Sequence, residues 1–311
     1  MHVWALANQK GGCGKTTTAV NLSAALARRG QRVLLVDLDP QAHATLALGR
    51  ISEEGSSITG VLCDGLSLRE AIVRAPGRFD LVPADLDLAE FEEVAERMLR
   101  PERVLAGALL AESASYDHVL IDCPPRADGV LTANAVRAAD TVVLVVETGV
   151  FALQGAVRAR RLLEQRTRER RTPPRWRVVA TLFDRRLRIE REVLVAIHAR
   201  FGDELFETAI RSSVRLREAA AFGLPVHELD PRCSAAGDFE ALGDELLAAT
   251  PHPAAGETLR EVTLAPRPAP EAIRAIRASR LAPRSPGSPG SEPAAPSVPT
   301  VADSMPQPEE G

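Results

Sequence analysis

A chain of 311 residues is long enough to bury a sizeable core, and one α/β domain followed by a tail is the simplest layout it allows. A net charge of -4 with 45% hydrophobic residues argues against a generally basic nucleic-acid coat. Cys13, Cys63, Cys123 and Cys233 form no CxxC pair, and no run of about 18 apolar residues occurs, so a disulfide framework, a zinc site and a membrane span are not expected and a cytoplasmic protein is.

Short apolar runs bounded by turn residues predict strands at Val3–Ala7, Arg32–Asp37, Phe79–Val82, His118–Asp122, Thr141–Val146, Arg177–Leu182 and Leu205–Ile210. Helical periodicity predicts helices at Thr16–Arg29, Leu86–Met98, Val150–Gln165, Arg188–Arg200, Val214–Ala221 and Phe239–Leu247, the first closed by Gly30. Several of the strands are apolar throughout, as strands covered on both faces must be. Strand–helix alternation then gives a doubly wound, mostly parallel α/β sheet flanked by helices over residues 1–249. From 250 to 311 the composition turns to Pro, Ser, Gly and Ala, too poor in apolar surface to offset its ordering entropy, so a disordered tail is expected. A basic island in that tail, "PEAIRAIRASRLA", reads as a solvated fragment or a short basic helix.

The first predicted strand runs into "NQKGGCGKTTTAVN" and then into the first predicted helix. The common phosphate-binding pattern G-x-x-x-x-G-K-[ST] ends here in Gly14-Lys15-Thr16, but Gln9 stands where its first glycine belongs, and the pair Gly11-Gly12 follows instead. Glycines let backbone N–H groups turn inward around phosphate oxygens, and a strand–loop–helix order puts those phosphates at a helix N-terminus. Lys15 then neutralises the terminal phosphates and the Thr16 hydroxyl binds Mg²⁺. Lys10 and Lys15 are the only lysines in the chain; every other basic residue counted with them is an arginine. A lysine kept at Lys10 in so arginine-rich a chain suggests a place for a compact ammonium where a planar guanidinium does not fit. Two further stretches end predicted strands in carboxylates: "VLLVDLDPQ" with Asp37 and Asp39, and "DHVLIDCPP" with Asp122. A period of two puts Asp37 and Asp39 on one face, so both are expected to point at the phosphates.

"KGGCGKTT" resembles the deviant Walker A loop, KGGxGKTT, of the ParA/MinD family of P-loop partition and positioning ATPases. The resemblance implies a P-loop fold that binds ATP through Lys10, Gly11, Gly12, Cys13, Gly14, Lys15, Thr16 and Thr17. It implies a homodimer in the ATP-bound state, with Lys10 reaching the partner's nucleotide and Lys15 holding the protomer's own. It assigns the second Asp of DxDPQ, here Asp39, to organising the attacking water and the Mg²⁺ shell, and Asp122 to Mg²⁺ in the manner of a Walker B motif. Lys10, Lys15 and Asp39 are thus the implied catalytic residues, and Thr16, Asp39 and Asp122 the implied metal residues. Cys13 fills the variable slot; beside lysines and a helix N-terminus its thiol is expected to have a lowered pKa. The nitrogenase iron proteins share the loop and hold an iron–sulfur cluster, but Cys123 has no matching partner cysteine here.

The resemblance extends to about residue 249. "TLFDRRLRIEREV" and "AIRSSVRLREAAAFGLPV" look like late segments of the chromosome- and plasmid-partition subgroup, which line the base pocket and the DNA-binding face; Leu187 stands where that subgroup usually has a small polar residue. Between residues 155 and 217 there are 17 Arg against 8 Asp or Glu. Arg185, Arg186, Arg188, Arg211, Arg215 and Arg217 lie in or beside two predicted helices and are the candidate contacts for non-specific double-stranded DNA. The implied function is an ATP-dependent, nucleoid-associated switch that segregates a chromosome, plasmid or protein cargo with a ParB-like stimulating adaptor. The alternative is a MinD- or flagellar-regulator-like ATPase that targets membranes. That subgroup ends in an amphipathic helix, whereas "SMPQPEEG" ends this chain, which disfavours it.

Overall fold

The computed structural model describes residues 1–51, 56–168, 170 and 172–250. The tail expected from 250 lies outside the described residues beyond its first position, and its basic island lies wholly outside them.

In chain order the elements are β1 (His2–Ala7), α1 (Lys15–Arg28), β2 (Val33–Asp37), α2 (His43–Ala47), α3 (Ile58–Cys63), α4 (Leu68–Ala71), β3 (Val73–Arg74), β4 (Asp80–Val82), α5 (Phe91–Ala95), α6 (Val104–Ala111), β5 (His118–Asp122), α7 (Val130–Ala138), β6 (Thr141–Glu147), α8 (Ala152–Thr167), β7 (Arg175–Thr181), α9 (Arg188–Phe201), α10 (Val214–Ala221), α11 (Val226–Leu229) and α12 (Ser234–Ala249). The seven strands form one sheet in the order β3-β4-β2-β5-β1-β6-β7. Every neighbouring pair is parallel except the short edge strand β3 against β4. The mostly parallel, doubly wound sheet is thus as expected.

Alternation along β1 explains the two cores. Val3, Ala5 and Ala7 enter one core cluster with Val36 and Ile121; Trp4 and Leu6 enter the other with Leu35 and Leu120. Helices α1 and α12, with Leu216 of α10, cover the second face, so β1 is buried on both sides. Gly30, at φ +80°, closes α1 as expected: its N–H bonds the Ala27 carbonyl at 3.0 Å and the Gln31 N–H reaches Leu26 at 3.2 Å.

Two expected elements differ. Leu205–Ile210 is not a strand. Phe206 N–H reaches Val178 (2.9 Å) and Ile210 N–H reaches Ala180 (2.8 Å), so the segment follows the β7 edge at its ends. Between them the Glu207 and Thr208 N–H groups donate instead to the Glu245 carboxylate on α12, at 2.7 and 2.9 Å, which breaks the ladder. The helix expected over Leu86–Met98 is a 3-10 turn, Leu86–Glu90, followed by α5. In a 3-10 turn residues three apart eclipse, which sets Leu88 and Phe91 on the same core-facing side, both fully buried.

Candidate functional site

The loop between β1 and α1 sits at the carboxyl end of the central strands, where ligands bind in sheets of this kind. Gly12 and Gly14 hold φ at +75° and +90°, left-handed conformations that turn successive N–H groups into a concave nest. Gly14 is the N-cap of α1 and brings no side chain, and no acidic residue stands in the first turn. The positive end of the helix is left for an outside anion. Three straps hold the loop. Asn8 Nδ2 donates to the Val145 carbonyl (2.6 Å), Asn8 Oδ1 accepts from the Lys10 N–H (3.2 Å), and Thr181 Oγ1 donates to the Cys13 carbonyl (2.7 Å).

The two lysines take different places. Lys15 is buried and its Nζ donates to the Lys10 carbonyl at 3.1 Å, across the inside of the loop. Lys10 lies on the outer rim with 54% of its side chain exposed, ion-paired with Glu147 at the end of β6. Thr16 and Thr17, at the first turn of α1, are half-buried. Gly11 is open, with nothing near the position of an added Cβ.

The carboxylates split as well. Asp37 and Asp122 are direct neighbours on β2 and β5, both fully buried. Asp37 is engaged within the protein: its Oδ2 accepts from Thr45 N–H (2.8 Å) and Thr45 Oγ1 (2.7 Å), and its Oδ1 from the Asp39 N–H (3.2 Å). The strand stops at Asp37, so the period of two does not carry through to Asp39. Asp37 pins the turn that places Asp39, whose Oδ1 accepts from the Gln41 N–H at 3.0 Å. Both oxygens of Asp122 are buried without a hydrogen-bond partner. Burial, with Asp37 next to it, holds the Asp122 pKa well above the usual carboxylate range.

That orphaned carboxylate, beside the half-buried Thr16 hydroxyl, is a donor set that suits Mg²⁺, which takes one or two protein oxygens and fills the rest of its shell with water and phosphate.

The Cys13 thiol corrects its expectation. It is fully buried and its Sγ donates to the Lys10 carbonyl (3.3 Å); burial raises its pKa and outweighs the pull of Lys15. Sequence reasoning missed Asn8, Thr45, Glu147 and Thr181. Glu147 ends a strand, the same signal that marked Asp122, while Thr181 opens the segment "TLFDRRLRIEREV" without a role of its own being assigned there.

The candidate DNA-contact arginines gather around α9 and α10, but with unequal freedom. Arg186 pairs with Asp184 (2.7 Å), Arg188 with Glu192 (2.8 Å), and Arg215 with Glu218 (2.8 Å) and Asp230 (3.4 Å). Arg211 grips the mostly buried Asp238 and the Ser234 carbonyl. Arg185 and Arg217 are exposed, with no carboxylate in ion-pair range among the described residues.

A seven-stranded sheet with a glycine nest, a buried lysine and a strand-end aspartate around one helix N-terminus defines a P-loop nucleotide-binding protein. The AAA domain family matches residues 1–171. The chain is 39% identical over 255 residues to the chromosome partitioning protein ParA of Caulobacter vibrioides, covering 79% of this chain and 94% of that one. It is 38% identical over 256 residues to the chromosome-partitioning ATPase Soj of Thermus thermophilus, covering 78% and 94%. Its fold matches, at a TM-score of 0.70 and 31% identity over 79% of this chain and 94% of the other, a cobyrinic acid a,c-diamide synthase of Mycobacterium smegmatis crystallised with ADP and magnesium. The chain belongs to the ParA/MinD family of P-loop ATPases and is similar to its ParA/Soj chromosome-partition members.

Proposed function

We propose that residues 1–249 form a Mg²⁺-dependent ATPase that dimerises on ATP, binds double-stranded DNA without sequence preference, and is discharged by a ParB-like adaptor that stimulates hydrolysis. The cargo is a chromosome, a plasmid or a protein assembly, and the working compartment is the cytoplasm over the nucleoid. The division of labour between the two lysines carries this reading. Lys15 is buried against the inside of its own loop, where it serves the nucleotide of its own protomer. Lys10 projects from the rim, where a second copy can be met. Exposed apolar side chains follow the end of β6, Val150 and Phe151, at 68% and 78%. A second copy would remove such side chains from water.

Gly11, Gly12, Cys13, Gly14, Lys15, Thr16 and Thr17 cradle the phosphates by backbone N–H groups, with Lys15 set against their charge. Asp122 and Thr16 would hold Mg²⁺, with Asp39 near it, and the ion would supply positive charge against the phosphates. Asp39, set by the Asp37–Thr45 clamp, orients the attacking water.

The test is sedimentation velocity with a non-hydrolysable ATP analogue and Mg²⁺. Lys15→Ala should lose nucleotide binding. Lys10→Ala should retain it and stay monomeric; a Lys10→Ala protein that dimerises like the wild type would refute the cross-subunit role. Pelleting with anionic vesicles in place of DNA retention would favour the membrane-positioning alternative.

A further inference from the structure

The ammonium assigned to the partner's nucleotide is already engaged at home. Lys10 Nζ is ion-paired with Glu147 of the same protomer. Both ends of this pair hang from one seam of the sheet. The Lys10 backbone is fixed on Asn8, Asn8 is bound to the Val145 carbonyl, and Glu147 closes β6, the strand that pairs with β1. Room for the carboxylate comes from Gly149: a Cβ there would stand 2.9 Å from Glu147 Oε1, the oxygen that Lys10 contacts. Lys15 cannot take the place of Lys10 at Glu147, because its Nζ is turned inward onto the Lys10 carbonyl.

We propose that Glu147 is a positioning residue that parks Lys10 within its own protomer and so sets how much ATP-bound protein is needed before two copies close. The inference rests on the cross-subunit reading of Lys10 given above. An ammonium held on Glu147 offers a partner's phosphate only part of its charge and of its three N–H donors, and must be drawn off the rim to meet it fully. Closure therefore exchanges a carboxylate contact for a phosphate contact, and the parked state competes with the dimer. The pair is partly exposed, Lys10 at 54% and Glu147 at 20%, so its strength is modest and falls with salt. An exposed pair shifts an equilibrium by about threefold, and both lysines must leave their carboxylates for one closed dimer, so the effect on dimerisation is about tenfold.

The experiment compares wild type, Glu147→Gln, Lys10→Ala and the Lys10→Ala/Glu147→Gln double variant by sedimentation velocity, with a non-hydrolysable ATP analogue and Mg²⁺. Gln keeps the shape of the side chain and removes its charge. Glu147→Gln should lower the dimer Kd about tenfold in dilute salt, the gain shrinking in about 0.5 M NaCl. The double variant should gain nothing over Lys10→Ala. An unchanged or weaker dimer in Glu147→Gln overturns the proposal. So does a gain that persists without Lys10, because Glu147 then acts on the nucleotide through its own charge. If Lys10→Ala dimerises like the wild type, the cross-subunit reading itself fails, whatever Glu147 does.

Discussion

Asp122 is the side chain most at odds with its surroundings. A carboxylate buried beside Asp37, with only the Thr16 hydroxyl close enough to offset its desolvation, is destabilising when ionised unless a cation meets it. Asp122→Asn keeps the shape and cannot ionise, so the nucleotide-free variant should be more stable than wild type at neutral pH, where the wild type must either carry a buried charge or hold a proton that the unfolded chain has already released. The same variant should lose the further rise in Tm that Mg²⁺ and ADP together give the wild type. Calorimetry with and without the ligands checks both signs; a variant less stable than wild type without ligands would mean that Asp122 has a partner within the protein. Asp37, one strand away and equally buried, should behave in the opposite way. Its two oxygens are satisfied by Thr45 and the Asp39 N–H, so Asp37→Asn or Thr45→Val should lower stability and blunt hydrolysis together, by loosening the turn that carries Asp39. "DLDPQ" shows both aspartates and cannot show this division, because it depends on where β2 ends and on Thr45 folding back eight residues later.

Among the elements, β1 and β5 are joined at the end of the sheet away from the nucleotide site by a buried contact in which Trp4 Nε1 donates to His118 Nδ1 at 3.3 Å. Burial lowers the His118 pKa, so the folded ring stays neutral and free to accept. A folded pKa below the unfolded value means that the unfolded chain binds a proton which the native state refuses. Stability should therefore fall as pH drops through about 6.5, and His118→Gln should flatten that part of a Tm–pH profile. His227, also buried with its pKa lowered, contributes to the same slope. A profile with unchanged slope in His118→Gln would place the effect elsewhere. The central strands and longer helices were legible because each carries its own signal: continuous apolar runs for β1, β5 and β6, and helical periodicity for α8 to α10. The phosphate loop was legible for the same reason, since its glycines are needed by its own backbone. What was not legible depends on partners distant in sequence. The segment at 205–210 has strand-like residues, but Glu245 on α12 claims two of its N–H groups. Lys10 stands out in composition, and nothing in its neighbourhood announces Glu147, 137 residues away.

At the scale of the whole molecule the question is where a chain of net charge -4 meets a polyanion. The excess of arginine between residues 155 and 217 is a property of the sequence; the fold sets several of these arginines against neighbouring acids at the surface. Arg211 holds Asp238, which is only 8% exposed, so Arg211→Ala leaves a nearly buried carboxylate without its cation and should cost about 1–3 kcal/mol of stability before any DNA contact is read. Arg186, Arg188 and Arg215 are each compensated by a neighbouring acid, and a compensated arginine must leave that acid to release a counterion from DNA. Among the described residues Arg185 and Arg217 have no such acid to leave. If the DNA face lies on α9 and α10, Arg185→Ala with Arg217→Ala should weaken retention on non-specific duplex DNA in the presence of ATP and Mg²⁺. It should also flatten the plot of log K against log salt by about 0.9 for each phosphate that is no longer neutralised. Asp184→Asn should do the reverse, since it frees Arg186 from the carboxylate that now holds it, raising both affinity and slope. Filter binding across a KCl series reads all of these on one plot. Parallel lines for wild type, the double arginine variant and Asp184→Asn would move the DNA face off these two helices. The next surface to substitute would then be α8 and its C-terminal end, where Arg158, Arg161 and Arg168 are exposed.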